Sequence, residues 1–378
     1  VSERDPLTYA AAGVDVAAGE RAVALMRAAV QATHGPRVLG GIGGFAGLWS
    51  LDPVDRGARL EPPGPPADRG ARLEPPGPPA DRGARLEPPG PPAAGGDRVL
   101  AAAADGVGTK LLVAQALDRH DTVGIDLVAM VVDDVVVTGA TPLFVLDYLA
   151  VGRLDPERVA TIVAGVAEGC RLARCALLGG ETAEHPDAME PDAYDLAGFA
   201  VGVAERDRLL GPERVAAGDV LLGLASSGLH ANGFSLARRA LARAGVGYDR
   251  VVPELGGPVG EALLTPTRIY APDLVDLLAE GVEVHALCHV TGGGLPGNLP
   301  RCLPGGLVAR VDRAAWTPPP VFRLLGELGP VDDEELARAT NLGVGMVVVL
   351  PAGQADRGAA FLGARGLPAW VMGEVAAG

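Results

Sequence analysis

Apolar and polar positions alternate along this chain in short runs separated by glycine-rich loops. Residues 18–32 carry the spacing of a helix, and the loop Gly40-Gly41-Ile42-Gly43-Gly44-Phe45-Ala46-Gly47 follows. Residues 99–103 read as a strand entering a turn at Asp105. Residues 127–138 fit two readings, because their valines favour a strand while Gly139 is well placed as a helix C-cap. If the segment is helical, Asp126, Asp133 and Asp134 share one face, at i, i+7 and i+8. Residues 143–149 form a predicted strand. Asp155-Pro156 then opens a helix to about Arg174, with an N-cap and a proline in the first turn.

Strand 176–178 leads into a predicted loop, Gly179-Gly180-Glu181-Thr182-Ala183-Glu184, and residues 194–204 form another strand. A charged link at 205–218 precedes strand 220–225, loop 226–233 and helix 234–243. Further glycine loops lie at Thr291-Gly292-Gly293-Gly294 and Asn341-Leu342-Gly343-Val344-Gly345. The alternation predicts an α/β (α+β) chain of two domains, residues 1–205 and 216–378.

One tract breaks the pattern. Residues 55–93 are three identical copies of Asp-Arg-Gly-Ala-Arg-Leu-Glu-Pro-Pro-Gly-Pro-Pro-Ala. One leucine per copy cannot build a core, and four prolines favour an extended, solvated chain. The expectation is a disordered insertion over 52–97 that separates its flanks in sequence but not in space.

Composition narrows the chemistry. Hydrophobic residues reach 48% but aromatics only 4%, so the core must be packed with Ala, Val and Leu. A formal charge of −15 argues against a nucleic-acid partner, which needs a basic stripe. An acidic chain still binds polyphosphate when backbone N–H groups and a divalent cation supply the positive field. Residues 1–30 lack an apolar signal core, no run is long enough to span a membrane, and the four cysteines show no zinc-type spacing. A reduced, cytoplasmic enzyme is the expectation.

Lys110 is the only lysine among 32 basic residues, in Asp105-Gly106-Val107-Gly108-Thr109-Lys110. An ammonium and a guanidinium are not interchangeable at a tight phosphate or metal site. Asp105, Asp126, Asp134 and Glu181 stand beside glycines or at predicted element ends, as an ATP–metal site requires, though solvated turn acids or N-caps fit equally well. The Gly40-to-Gly47 loop lacks the strand, helix and acidic residue of a dinucleotide site, but a phosphate-cradling role is open to it. Ser226-Ser227-Gly228-Leu229-His230-Ala231-Asn232-Gly233 gathers hydroxyl, imidazole and amide groups ahead of a helix. The loop suits anion binding, or a turn capped by Asn232. His289 reads as a hydrogen-bonded core histidine.

Together these strings, with Tyr9-Ala-Ala-Ala-Gly-Val-Asp15, the His120-to-Met130 string and Leu264-Thr-Pro-Thr-Arg-Ile-Tyr270, resemble the phosphoribosylformylglycinamidine cyclo-ligases (aminoimidazole ribonucleotide synthetases). The resemblance spans the chain except for residues 52–97. It implies a ferredoxin-like N-terminal domain that pairs with a second copy into a β-barrel, and an α/β sandwich as C-terminal domain. It also implies ATP- and Mg²⁺-dependent ring closure of formylglycinamidine ribonucleotide by a homodimer. On that resemblance, Asp105, Asp134 and Glu181 would hold metal. Gly43, Gly44, Gly108, Thr109, Asp126 and Glu181 would hold ATP. Ser227, His230 and Asn232 would hold substrate, and Asp105, Lys110 and His230 would be catalytic.

The family usually has Asn-Asp at Asp133-Asp134, so this chain is expected to add a negative charge beside the metal. The alternatives are another phosphotransfer enzyme of the superfamily, of selenophosphate synthetase or thiamine monophosphate kinase type, or a non-catalytic nucleotide-binding scaffold.

Overall fold

The computed structural model of the chain describes residues 7–10, 12, 14, 16–31, 34, 37–39, 44–51 and 97–378. The expected disordered insertion therefore lies, apart from Asp97, outside the described residues, as does Gly43.

The first half runs α1 (Val16–Gln31), β1 (Val38–Leu39), β2 (Gly47–Ser50), β3 (Arg98–Gly106), α2 (Leu111–Leu117), α3 (Val123–Val136), β4 (Thr141–Val151), α4 (Pro156–Leu172), β5 (Ala176–Glu184) and β6 (Tyr194–Glu205). Its strands form one sheet in the order β1-β2-β3-β6-β4-β5, with only β4 and β5 parallel. Ser50 pairs with Val99 and the Leu51 N–H donates to the Arg98 carbonyl at 2.8 Å, so the two flanks of the repeat tract are adjacent in space.

From β3 to β6 the four main strands and two long helices run β-α-β-α-β-β. A ferredoxin-like domain runs β-α-β-β-α-β, so that expected connectivity is not the one observed. Here β4 and β5 are direct parallel neighbours joined by a crossover through α4, with no strand inserted between them.

Residues 127–138 resolve as the body of α3. The helix is buried along nearly its whole length between the sheet and α4, and packing overrides the β preference of its valines. Helices α3 and α4 approach backbone to backbone, since a Cβ on Gly124 or Gly165 would collide with the main chain opposite. Helix α4 begins as predicted, with Asp155 accepting from the Arg158 N–H at 3.1 Å and Pro156 in the first turn. The predicted loop 179–184 is instead the body of β5, an edge strand in which Gly180 passes so close to the Asp147 carboxylate that a side chain would not fit.

The second half runs β7 (Asp219–Ala225), α5 (Phe234–Arg243), the short ribbon β8 (Val251–Val252) and β9 (Gly257–Pro258), α6 (Val259–Leu264), α7 (Ala271–Ala279), β10 (Ala286–His289), α8 (Gly294–Asn298), β11 (Leu307–Val311), α9 (Pro320–Leu328), α10 (Asp333–Ala339), β12 (Val344–Pro351), α11 (Ala355–Ala364) and β13 (Ala369–Ala377). An antiparallel sheet, β10-β12-β7-β13-β11, has buried apolar clusters on both faces, which explains the unbroken apolar run of β12. The larger cluster continues across α7 into α3, so the two halves share one core. No described helix is long and apolar enough to cross a membrane.

Candidate active site at the junction of the two halves

Strand β3 ends at Asp105 and Gly106, and the chain turns through left-handed Gly108 (φ 69°) into a short 3₁₀ turn carrying Thr109 and Lys110. This turn directs Lys110 inward. Its side chain is wholly buried and donates to Asp126 Oδ1 at 2.8 Å, the His230 carbonyl at 3.0 Å and the Thr265 carbonyl at 2.7 Å. The Phe234 ring lies 5.4 Å away. Burial pushes the lysine pKa down and the Asp126 carboxyl up. Three acceptor oxygens at bonding distance need three N–H donors, however, and only the charged ammonium has them.

With three protein acceptors engaged, Lys110 has no donor left for the phosphate contact that the sequence suggested. Two of its three donors, those to His230 and Thr265, tie the first half to the second. Asp126 is likewise no open ligand: its Oδ1 also accepts from the Thr267 N–H at 2.8 Å and hydroxyl at 2.6 Å, and its Oδ2 is buried without a partner. Thr109, expected at the nucleotide, instead places its hydroxyl 3.0 Å from the Ser235 hydroxyl.

Asp133 is not an open carboxylate beside Asp134, because main-chain donors occupy it. It points into the junction and accepts from the N–H groups of Tyr270 and Ala271 at 3.0 and 2.8 Å, capping the start of α7. Burial pushes its carboxyl up to about 7, against the pull of His289 and these two bonds.

Asp134, the next residue, faces the other way and remains partly exposed. His289 Nδ1 donates to Asp134 Oδ1 at 2.8 Å, while its Nε2 is buried with no partner. Burial pulls the His289 pKa down, but the bond to Asp134 and the charges of Asp133 and Asp105 outweigh it and the net shift is upward. Asp105 completes the group: burial and the nearby Asp134 raise its pKa, opposed by the Gly106 N–H at 2.7 Å and by His289. Among the described residues no three acidic, histidine or cysteine groups are arranged to hold a metal by themselves.

The 226–233 loop closes over this group from the second half. His230 sits in left-handed backbone (φ 65°), and its Nε2 accepts from the Ser227 N–H at 3.1 Å, leaving a buried Nδ1–H with no partner. Burial holds its pKa well below the usual histidine value. The Ser227 hydroxyl donates to the Pro266 carbonyl at 2.6 Å, and the Asn232 amide lies 3.8 Å from Met130 Sδ.

Asn341 donates to the Gly228 and Leu229 carbonyls at 2.9 and 3.3 Å, and Asn298 donates to the Gly294 carbonyl at 2.8 Å, shaping two of the glycine loops. Gly345 leaves room for the His230 and Tyr270 rings, which any Cβ would strike.

Asp105, Asp134, Ser227, His230 and Asn232 are thus brought to one junction. Glu181 is not. Asp105 pairs with Gly198, Gly198 with Asp147, and Asp147 with Gly180, so Glu181 lies three strand spacings, about 14 Å, across the sheet from Asp105. One chain cannot bind a single metal through both. Gly108 is exposed, its carbonyl accepting from the Leu111 N–H, and the Gly44 carbonyl accepts from Arg301 at 2.8 Å.

Sequence reasoning passed over Thr267, Asn298, Asn341 and Arg268, whose buried Nε has no partner. Their signal lay in strings that only became specific as parts of one ordered set. An apolar groove of about 460 Å³ beside β11, lined by Leu299, Leu303 and Val308, contains none of these residues.

Known proteins resemble this arrangement at two levels. The chain matches the models for the AIR synthase related protein, N-terminal domain, over residues 88–204, and C-terminal domain, over residues 216–378. It is 48% identical over 371 residues, 98% of its own length and 95% of the relative's, to a phosphoribosylformylglycinamidine cyclo-ligase of Sorangium cellulosum. It is 45% identical to that of Thermosynechococcus vestitus, covering 98% and 97% of the two chains.

Among solved structures, a hydrogenase maturation protein HypE in complex with ATP overlays at a TM-score of 0.54, with 21% identity and 79% and 80% of the chains covered. The phosphoribosylformylglycinamidine synthase II of Thermotoga maritima reaches 0.52, with 16% identity and 74% and 41% covered. These two distant likenesses speak for the fold alone. With identity near one half along almost the whole chain, this protein belongs to the AIR synthase related family, among its phosphoribosylformylglycinamidine cyclo-ligases.

Proposed function

We propose that the chain is an ATP-dependent cyclo-ligase that closes formylglycinamidine ribonucleotide to aminoimidazole ribonucleotide, with release of ADP and phosphate. The observation that carries this reading is the 43–48% identity over 98% of the chain to relatives bearing that activity's name. A formamide oxygen is a poor leaving group. Phosphorylation lets it depart as phosphate when the neighbouring amidine nitrogen attacks the same carbon, and proximity supplies much of the rate. The protein's tasks are to align the γ-phosphate with the formyl oxygen, balance charge and exclude water.

The residues at the junction suit those tasks. Asp105 and Asp134 repel one another in a partly buried site, a strain that a divalent cation arriving with nucleotide phosphates relieves. Bound there, Mg²⁺ would neutralise charge on the transferring phosphoryl group. The buried His230 Nδ1–H and His289 Nε2 have no hydrogen-bond partner among the described residues and are the positions we assign to nucleotide and substrate. Asn232 and the backbone of Gly108 are the remaining polar candidates, Gly43 and Gly44 flank the site by resemblance, and Lys110 positions the loop of His230. On this reading residues 1–205 and 216–378 act as two domains with the reaction between them.

The outward face of the first sheet supports a homodimer. Leu146, Tyr148, Leu178 and Phe199 stand on it, Phe199 half exposed, with no element among the described residues covering them. A second copy laid on that face would close a barrel. Purified protein with ATP, Mg²⁺ and formylglycinamidine ribonucleotide should yield ADP and aminoimidazole ribonucleotide in equal amounts. ADP without ring-closed product would reject the reaction. A monomer by light scattering would reject the dimer alone.

A further inference from the structure

The four cysteines fall into two groups, one in each half: Cys170 and Cys175 are joined main chain to main chain at the end of α4, and Cys302 Sγ donates to the carbonyl of Leu287, the neighbour of Cys288. The first pair owes its contact to a helix end. At the end of α4 the Cys175 N–H donates to the Cys170 carbonyl at 3.0 Å and the Arg174 N–H to the Arg171 carbonyl at 3.2 Å, while Arg174 is left-handed at φ 56°. These two bonds and the left-handed residue define a Schellman turn, in which the side chains at the ends of the longer bond meet. Cysteines occupy both of those positions. A disulfide needs Cα atoms about 4.4–6.8 Å apart, which a direct main-chain hydrogen bond between the two residues satisfies.

The two thiols are not equivalent. Cys170 is buried in the helix–sheet core, whereas Cys175 is partly exposed where the chain enters β5. Partial exposure makes Cys175 the accessible nucleophile of the two, and the neighbouring Cys170 thiol pushes its pKa down, against its burial. The second pair, Cys288 and Cys302, is fully enclosed beneath α8. Burial pushes the Cys288 thiol well up, and Cys302 Sγ donates to the Leu287 carbonyl at 3.2 Å.

We propose that Cys170 and Cys175 are a redox-active dithiol site that closes to an intramolecular disulfide by exchange with a small-molecule disulfide of the glutathione type. The Cys175 thiolate attacks one sulfur of oxidised glutathione, forming a mixed disulfide and releasing one glutathione thiolate. Cys170 then loses its proton and attacks Cys175 Sγ, expelling the second glutathione thiolate. Two protein thiols become one disulfide, and their two protons pass to the two departing glutathione thiolates, so the small disulfide is reduced to two thiols. Closure pins the turn from which Arg174 reaches Asp276 of α7 at 2.8 Å, so oxidation reinforces a contact between the halves. No step requires the active-site residues.

The test uses the folded full-length chain in glutathione buffers of graded oxidation, followed by acid quenching, alkylation and peptide mapping. The expected result is joint loss of alkylation at Cys170 and Cys175, with no glutathione retained, reversal by dithiothreitol, and Cys288 and Cys302 still free. Cys170→Ser should instead trap glutathione on Cys175, and Cys175→Ser should take up none. A stable glutathione adduct on wild-type Cys175, or oxidation of Cys288 and Cys302 at the same ratio, would overturn the proposal. So would a Cys175→Ser variant modified at Cys170 as readily as wild type is at Cys175. The readout is thiol chemistry, so a failed cyclo-ligase assay would not affect it.

Discussion

Helix α3 delivers acids to two environments that differ in one respect. Asp126 and Asp133 disappear into the junction, where Lys110, Thr267, Tyr270 and Ala271 supply donors to their carboxylates. Asp134, one residue beyond Asp133, stays partly exposed beside Asp105 and a histidine with an unpartnered nitrogen. The first group commits its donors, and every acceptor but the enclosed Asp126 Oδ2, to holding the halves together, while the second keeps capacity for a ligand. Residue type does not separate the two roles. Accounting for donors and acceptors does.

The comparison breaks most sharply at Lys110. Removing one partner of a buried ion pair leaves an uncompensated charge, at a cost of about 3–5 kcal/mol. Lys110→Ala should therefore lower stability by that order, measured by chemical denaturation, whether or not nucleotide is present. A variant with wild-type stability that fails to bind ATP would move Lys110 back to the phosphates. Asp105→Asn should do the reverse, cutting turnover about a hundredfold or more while leaving the unfolding midpoint nearly unchanged. Normal turnover in that variant would remove Asp105 from the metal site.

How far the sequence reaches follows the same division. The Asp155-Pro156 helix start and the strands around 99–103, 143–149, 194–204 and 220–225 were legible because their signals are local. Helix α3 was ambiguous because the β preference of its valines conflicts with its length and C-cap, and burial decided between them. Strand β5 was hidden by its glycines, which read as a loop until β4 is seen packed against them. The motifs around Asp105, Asp134 and His230 were visible as strings. The role of Lys110 was not, since its acceptors lie 16, 120 and 155 residues away. The misplacement of Glu181 has a similar cause, because strand order in a sheet cannot be read along the chain.

Asp133 offers a gentler test. A carboxyl raised from 3.8 to about 7 binds more protons folded than unfolded between those values. Stability contributed by this group therefore falls as pH climbs through that window and is level above it. Asp133→Asn keeps an oxygen to accept from Tyr270 and Ala271 but has nothing to titrate. The variant should match or exceed wild-type stability at pH 8 and lose the advantage by pH 5, by denaturation at both values. Lower stability at pH 8 would show instead that a charged cap on α7 is favourable.

The smallest effect is expected farthest from both groups. Ser50 pairs with Val99, so the strands on either side of the repeat already meet as a hairpin. Removing residues 55–93 leaves 52–54 and 94–96 to join them, a common length for such a connection. Loop-closure entropy changes slowly with length, so the gain in stability should not exceed about 2 kcal/mol. Three identical copies with one leucine and four prolines apiece give the core nothing to lose. The deletion should leave kcat/KM within about twofold, as connecting segments usually tolerate such changes. A large fall would mean that the tract reaches the nucleotide loop beginning at Gly40, and the contrast between the two groups would then gain a third participant from outside the described residues.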